Sequence, residues 1–191
     1  GAVYNTYLSS FKNEDGSVNW LPVCADAHGF LVNRGLFAKY GIPLPTDYDS
    51  FVSACQAFAK HGIRGFDADY TYDYTCMETL QGLSVSELSS AEGRQWRAAY
   101  SDPANTEKVG LDDAVWPTVF KNLEQFIRDT GLNADDLTLN YDDIMARMRG
   151  GELAMYFGSS AGVKILQDEG IDTTFLPFFG QDGQQWLMTT P

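Results

Sequence analysis

Apolar residues recur along this chain in two rhythms. In "PTDYDSFVSACQAFAKHG", Phe51, Cys55 and Phe58 stand at i, i+4 and i+7, the stripe of a helix with one buried face. Thr46 is placed to cap that helix, Asp49 to complete a capping box, and Gly62 to end it. Val119, Leu123, Phe126 and Ile127 set a second stripe, which Gly131 stops. Asn140 and Asp143 repeat the capping logic ahead of Ile144, Met145 and Met148. "NRGLFAKYG" reads as a brief helix closed by Gly41, and "GSSAGVKILQDEG" as another that opens on a Gly-Ser-Ser turn.

The second rhythm has period two. Val23, Ala25 and Ala27 alternate with Cys24, Asp26 and His28, as along a strand with two unlike faces. "ELAMYF" and "TTFLPFF" are short apolar runs of the kind buried strands carry, and Asp15-Gly16 marks a hairpin-like turn before a short strand. "RGFDADYTYDYTCMETLQGL" reads as a strand end, a loop and a helix start. Residues 84–110 are polar and interrupted by Gly93, Pro103 and Gly110, which predicts a short helix and a surface excursion. Helices separate the strands, so the economical expectation is an α/β layer with largely parallel pairing.

Composition narrows the class. The 191 residues are 44% hydrophobic and 14% aromatic, enough for a substantial core in one large domain or two small ones. A net charge of −13 repels phosphate backbones and anionic lipid, which argues against nucleic acid as a partner and against a peripheral membrane role. No apolar run is long enough to span a bilayer. The opening "GAVYNTYLSSF" reads as mid-protein sequence, so the lack of an export signal there carries little weight. Cys24, Cys55 and Cys76 are too few and too scattered for a disulfide framework or a zinc knuckle, and read as small buried hydrophobes. Two histidines give poor support for a metal site, and no cofactor motif is present.

Three stretches carry candidate chemistry. Asp26 and His28 sit side by side in an apolar segment, where a catalytic pair, a satisfied structural pair and a ligand-facing pair are all open readings. Catalysis is the weakest of the three, because no G-x-S-x-G elbow occurs and Asp26 would raise the pKa of the Cys24 thiol. In "DADYTYDY", Tyr70, Tyr72 and Tyr74 would share a face if the segment were extended. Phenol rings suit the faces and hydroxyls of sugars. Asp67, Asp69 and Asp73 interleave with them, which also invites a glycan hydrolase working through a pair of acids. In "YFGSSAG", the amides and hydroxyls of Ser159 and Ser160 can donate to ligand oxygens or simply cap a helix. Trp186 fits either a stacking platform or the core, while Trp20, Trp96 and Trp116 read as structural.

Three blocks, in order and spacing, resemble the extracellular solute-binding proteins of ABC importers, the family that includes maltose-binding protein and many oligosaccharide-binding lipoproteins. They are "DGSVNWLPVCADAHGFLVNRGLFAKYGIPLPTDYDSFVSACQAFAKHGI", "IRDTGLNADDLTLNYDDIMARMRGGELAMYFGSS" and "LPFFGQDG". The resemblance implies one lobe of a two-lobed periplasmic-binding-protein-like α/β fold. Residues 1–22 would end a first lobe and enter an interlobe crossing, 23–183 would form the second, C-terminal lobe, and 184–191 a second crossing. It further implies a non-catalytic monomer that captures a carbohydrate, an oligosaccharide, for a membrane permease. Its place would be the periplasm or, lipid-anchored, the outer face of the cytoplasmic membrane. Carried over by position, Asp26 matches a ligand-contacting acid on the crossing, Tyr70 to Tyr74 an aromatic loop with Tyr72 the nearest match, and Ser159 and Ser160 a binding turn. Ala161 departs from the pattern, since several sugar binders carry a Trp just past that turn; Trp186 is the candidate to replace the ring.

Overall fold

The computed structural model describes residues 11–19, 26–105, 109–180 and 183–190. The expected strand through Val23 and Cys24, Trp20, and the greater part of the 1–22 segment lie outside those residues. Within 11–19, Gly16 makes the expected turn at φ 81°, and Lys12 bridges Val18 across it.

One strand organises the sheet. β1 (Asp26–Asn33) pairs antiparallel with β3 (Leu153–Ser159) along one edge. Along its other edge it pairs first with β7 (Met188–Thr190) and then with β4 (Thr173–Leu176), both antiparallel. β2 (Arg64–Asp67) adds to the far side of β3 and is parallel to it. The five-stranded sheet is therefore mostly antiparallel, which corrects the parallel expectation. Intervening helices impose a parallel crossover only on strands that end up adjacent. Here β2 and β3 do so, while β1 finds partners more than a hundred residues away. The "TTFLPFF" run also splits, β4 stopping before Pro177 and β5 (Phe178–Phe179) pairing with β6 (Gln185–Trp186) in a separate ribbon.

Alternation along the β1–β3 seam builds two cores. Phe30 and Val32 face the same way as their partners Phe157 and Met155, whereas Leu31 and Tyr156 face the other. On the first side lies a phenylalanine cluster covered by α1 (Arg34–Tyr40), α2 (Tyr48–Ala59) and α5 (Trp116–Thr130), in which Phe51 stacks on Phe30 and Phe126 at 5.1 and 5.9 Å. On the second side α6 (Tyr141–Gly150) contributes Ile144, Met145 and Met148, and α7 (Ala161–Asp168) contributes Leu166. A sheet with helices on both faces is the α/β class expected.

Most helix boundaries follow their local signals. Asn140 and Asp143 form the reciprocal box at α6, and Gly41 and Gly131 take the left-handed conformation that ends α1 and α5. At α2 the cap is Asp47 rather than Thr46. Asp47 accepts from the Ser50 amide at 2.8 Å and Ser50 Oγ accepts in return, while Asp49 sits in the first turn. Lys60 caps its end, and Gly62, at φ 72°, makes the reversal two residues later.

The stretch from 73 to 101 differs most from expectation. It is two full helices, α3 (Asp73–Ser89) and α4 (Ala91–Ser101), hinged at Ser90, whose hydroxyl accepts from the Gly93 amide. α3 buries Thr75, Thr79, Gly82 and Ser84, so no apolar stripe advertises it. Gly82 lets the Phe178 ring lie against the helix, since a Cβ there would stand 2.1 Å from the ring. Gly93 is likewise a close-packing residue within α4. α5 (Trp116–Thr130) buries Val119 and Phe126 but leaves Ile127 41% exposed. Trp96 is buried and its indole N–H donates to the Gly110 carbonyl; Cys55 is buried, but Cys76 is exposed, contrary to expectation.

A charged cluster ties the end of β2 to the helical layer. Asp67 is fully buried, with Arg147 of α6 at 3.1 Å and Arg64 at 3.7 Å, and Arg64 also holds Asp136 at 2.6 Å. Burial, with the Asp136 charge adding to it, outweighs the Ala68 amide and both guanidinia and raises the Asp67 carboxyl to about 6. A raised acid favours the fold while protonated, so Asp67's contribution is complete below about pH 4 and is lost as pH rises through about 6. Asp67→Asn should therefore gain stability relative to the parent by up to about 3 kcal/mol between about pH 4 and pH 7, read from urea unfolding at each pH. A pH-independent difference would mean that the arginines cancel the burial cost.

Candidate functional site

The sheet leaves one corner open. β2 and β3 run parallel, so their carboxyl ends emerge together, and the first residues of β1 lie alongside the end of β3. In open α/β sheets this end is where ligands gather, because the loops and helix starts that follow the strands converge there. A hollow of about 200 Å³ occupies the corner, bounded by His28 of β1, Ser159 of β3, Asp69 of the β2–α3 loop, Tyr74 and Glu78 of α3 and Tyr141 of α6. Tyr156 lies along its floor over Gly158, where a Cβ would stand 2.6 Å from the tyrosine ring.

The polar groups here are acceptor-rich. His28 Nδ1 stands 3.3 Å from Glu78 Oε2. Asp69 is buried, accepts from Thr75 Oγ1 at 3.1 Å, and is pushed up by burial first, with the Glu78 charge adding to it. Tyr74 and Tyr156 are also raised, by burial and then by the Asp69 carboxylate.

Beside the hollow, Asp26 and Ser160 clasp the ends of β1 and β3. The Ser160 hydroxyl donates to Asp26 Oδ1, the Ala27 amide donates to the same oxygen at 2.9 Å, and the Ser160 amide donates to the Ala27 carbonyl at 2.7 Å. Burial opposes ionisation of Asp26, but the hydroxyls of Ser160 and Ser159 and the Ala27 amide prevail and hold it below the usual carboxylate range.

The tyrosines do not act as a set. The chain turns helical at Asp73, so the two-residue period fails between Tyr72 and Tyr74. Those two rings stack on one another, 5.3 Å apart and 19° from parallel, with 38% and 56% of their surfaces exposed. Tyr70 turns away, packing on the phenylalanine core and lining a separate apolar cleft with Thr79, Phe126 and Leu132. Trp186 is also elsewhere, half-buried on the core with its indole N–H donating to Ser86 Oγ at 2.8 Å. Of the residues expected from sequence, His28, Tyr74 and Ser159 line the hollow; Asp26, Ser160 and Tyr72 adjoin it through direct partners; Tyr70 and Trp186 lie apart. Asp67, one of the acids a hydrolase would use, is taken up by its arginines instead.

Glu78, Tyr141 and Tyr156, which no sequence motif singles out, also line the hollow, as does Asp69, read from sequence only as a candidate acid. The i, i+4 spacing of Tyr74 and Glu78 was the available signal, legible only once α3 is known to start at Asp73.

The described residues thus make an α/β lobe with a polar, aromatic-edged hollow at the carboxyl ends of β2 and β3. The chain belongs to the bacterial extracellular solute-binding proteins, whose family profile matches residues 2–190. No curated protein matches the sequence. Among solved structures, a chitin oligosaccharide binding protein shares the fold at a TM-score of 0.73 and 18% identity, over 95% of this chain and 45% of that one. The solute-binding protein RafE in complex with raffinose gives 0.72 and 17%, over 96% and 50%. A sugar transporter from Arthrobacter chlorophenolicus A6 with bound laminaribiose gives 0.69 and 16%, over 96% and 44%. The chain thus spans about half the length of the solved relatives it matches. Among the described residues, no helix is long and apolar enough to cross a membrane, and no group of His, Cys, Asp and Glu is arranged to hold a metal ion.

Ser160→Ala should move the Asp26 carboxyl back up toward its ordinary range, seen by NMR titration of that side chain, and cost roughly 1 kcal/mol of stability. An unmoved titration would show that Ser159 and the Ala27 amide suffice.

Proposed function

We propose that this lobe is one wall of a cleft that captures an oligosaccharide outside the cytoplasm and presents it, chemically unchanged, to an ABC permease, with the whole protein acting as a monomer in the periplasm or on a lipid anchor. The observation that carries this reading is the corner hollow, where the stacked Tyr72–Tyr74 pair adjoins Asp69, Glu78, His28 and Ser159. Aromatic area for a sugar face, next to acceptors for its hydroxyls, is the chemistry a polyol needs. The solved relatives include one in complex with raffinose and one with bound laminaribiose, which agrees with it.

Antiparallel pairing of the start of β1 with β7 fits two segments crossing side by side toward a second lobe. On this reading Asp26 is a crossing residue, solvated while the cleft is open and able to accept from a ligand hydroxyl when it closes, with Ser159 and Ser160 flanking it. Tyr70 and Trp186 support the wall from behind rather than touching the sugar.

Isothermal titration of the full-length protein with a panel of neutral oligosaccharides tests the reading. Binding to at least one is expected, with Tyr74→Ala and Asp69→Asn each weakening it by about tenfold or more, the worth of one stacking or hydrogen-bonding contact. Heat with peptides or polyamines and none with any sugar would overturn the ligand class.

A further inference from the structure

We infer that the cleft selects its sugar by charge, accepting neutral and amino-substituted oligosaccharides and rejecting those that carry a carboxylate or phosphate. This inference rests on the carbohydrate reading above and adds to it the electrostatic character of the guest.

Its basis is how charge is shared out at the carboxyl end of β2. Asp69 and Glu78 both border the hollow, and no Lys or Arg does so among the described residues that line it. Asp26, kept ionised by the Ser160 clasp, stands just beyond Ser159. Among the described residues that line the hollow, His28 is the one side chain with a cationic form, and it faces the Glu78 carboxylate at 3.3 Å. The nearby guanidinia are spent elsewhere, Arg147 on Asp67 and Arg64 on Asp136.

The same carboxylates bear on the tyrosines. Tyr74 and Tyr156 are both held above the ordinary phenol range by burial first, and then by Asp69 and, more weakly, Glu78. Limited solvation and nearby carboxylates together disfavour a further anion in this space, a uronate or a phosphosugar included. A hydroxyl or ammonium, by contrast, donates to these acceptors, and the ammonium gains from the field as well.

The test takes the tightest neutral oligosaccharide from the panel, its C6-oxidised uronate and its 2-amino-2-deoxy counterpart, each titrated into the full-length protein at neutral pH and low salt. The uronate should bind at least about 100-fold more weakly than the neutral sugar, the amino sugar at least as tightly, and Glu78→Gln should narrow the neutral-to-uronate ratio by about tenfold or more. A uronate that binds as well as the neutral sugar would overturn charge selection and leave the carbohydrate reading intact. An unchanged ratio in Glu78→Gln would overturn Glu78's part in it. Failure of every sugar, whatever its charge, would overturn the reading beneath.

Discussion

The antiparallel seam between β1 and β3 is the constraint from which the rest follows. Its register, His28 opposite Ser159 through Val32 opposite Met155, decides which side chains enter each core and which are left at the open end. A slip of one residue would send Phe30 and Val32 to the Leu31 side and break both cores together, so the register is strongly specified. The phenylalanine cluster supplies that specification, each ring contributing on the order of 2 kcal/mol of burial besides its edge and face contacts. The polar end of the seam depends on the apolar end. His28 and Ser159 come together because Phe30 and Phe157 do.

What could be read from the sequence divides along the same line. Asn140 with Asp143, Gly41, Gly131 and the Phe51–Phe58 stripe are decided within a turn or two of chain, and they hold. The direction of the sheet is not local. Nothing near Phe30 indicates that its neighbours will be Phe157 and Leu176, and helices lying between strands say little once the strands pair out of order. α3 was hidden for a different reason. Its buried face is built from Thr75, Thr79, Gly82 and Ser84, which fit where helices and the Phe178 ring approach closely but leave no hydrophobic period to detect.

The neighbourhood of the hollow was half legible for the same cause. Asp26, His28, Ser159 and Ser160 stood out because strand ends and a strand-to-helix turn announce themselves in sequence, and the seam brings the two segments together. The tyrosines were read with the wrong period. Two residues of extended chain would have aligned Tyr70, Tyr72 and Tyr74, but the helix begins between the second and the third. That change of period swaps Tyr70 for Glu78 as Tyr74's companion in the hollow.

Asp67 and Asp69 show how two acids on one short stretch of chain can be sent to different surroundings. In a continuing strand two residues apart they would point the same way, but β2 ends at Asp67 and the chain turns. Asp67 is drawn into the helical layer by Arg147 and Arg64, and Arg64 also donates to the Gly131 carbonyl, fastening the end of α5 to β2. Asp69 goes to the other side, where its carboxylate accepts from Thr75 Oγ1. The arginines that pair with Asp67 are absent from the described residues lining the hollow, where Asp69 and Glu78 stand, although both aspartates lie on the same few residues of chain. Anchoring the strand end and choosing which side chains reach the hollow are consequences of the same partition.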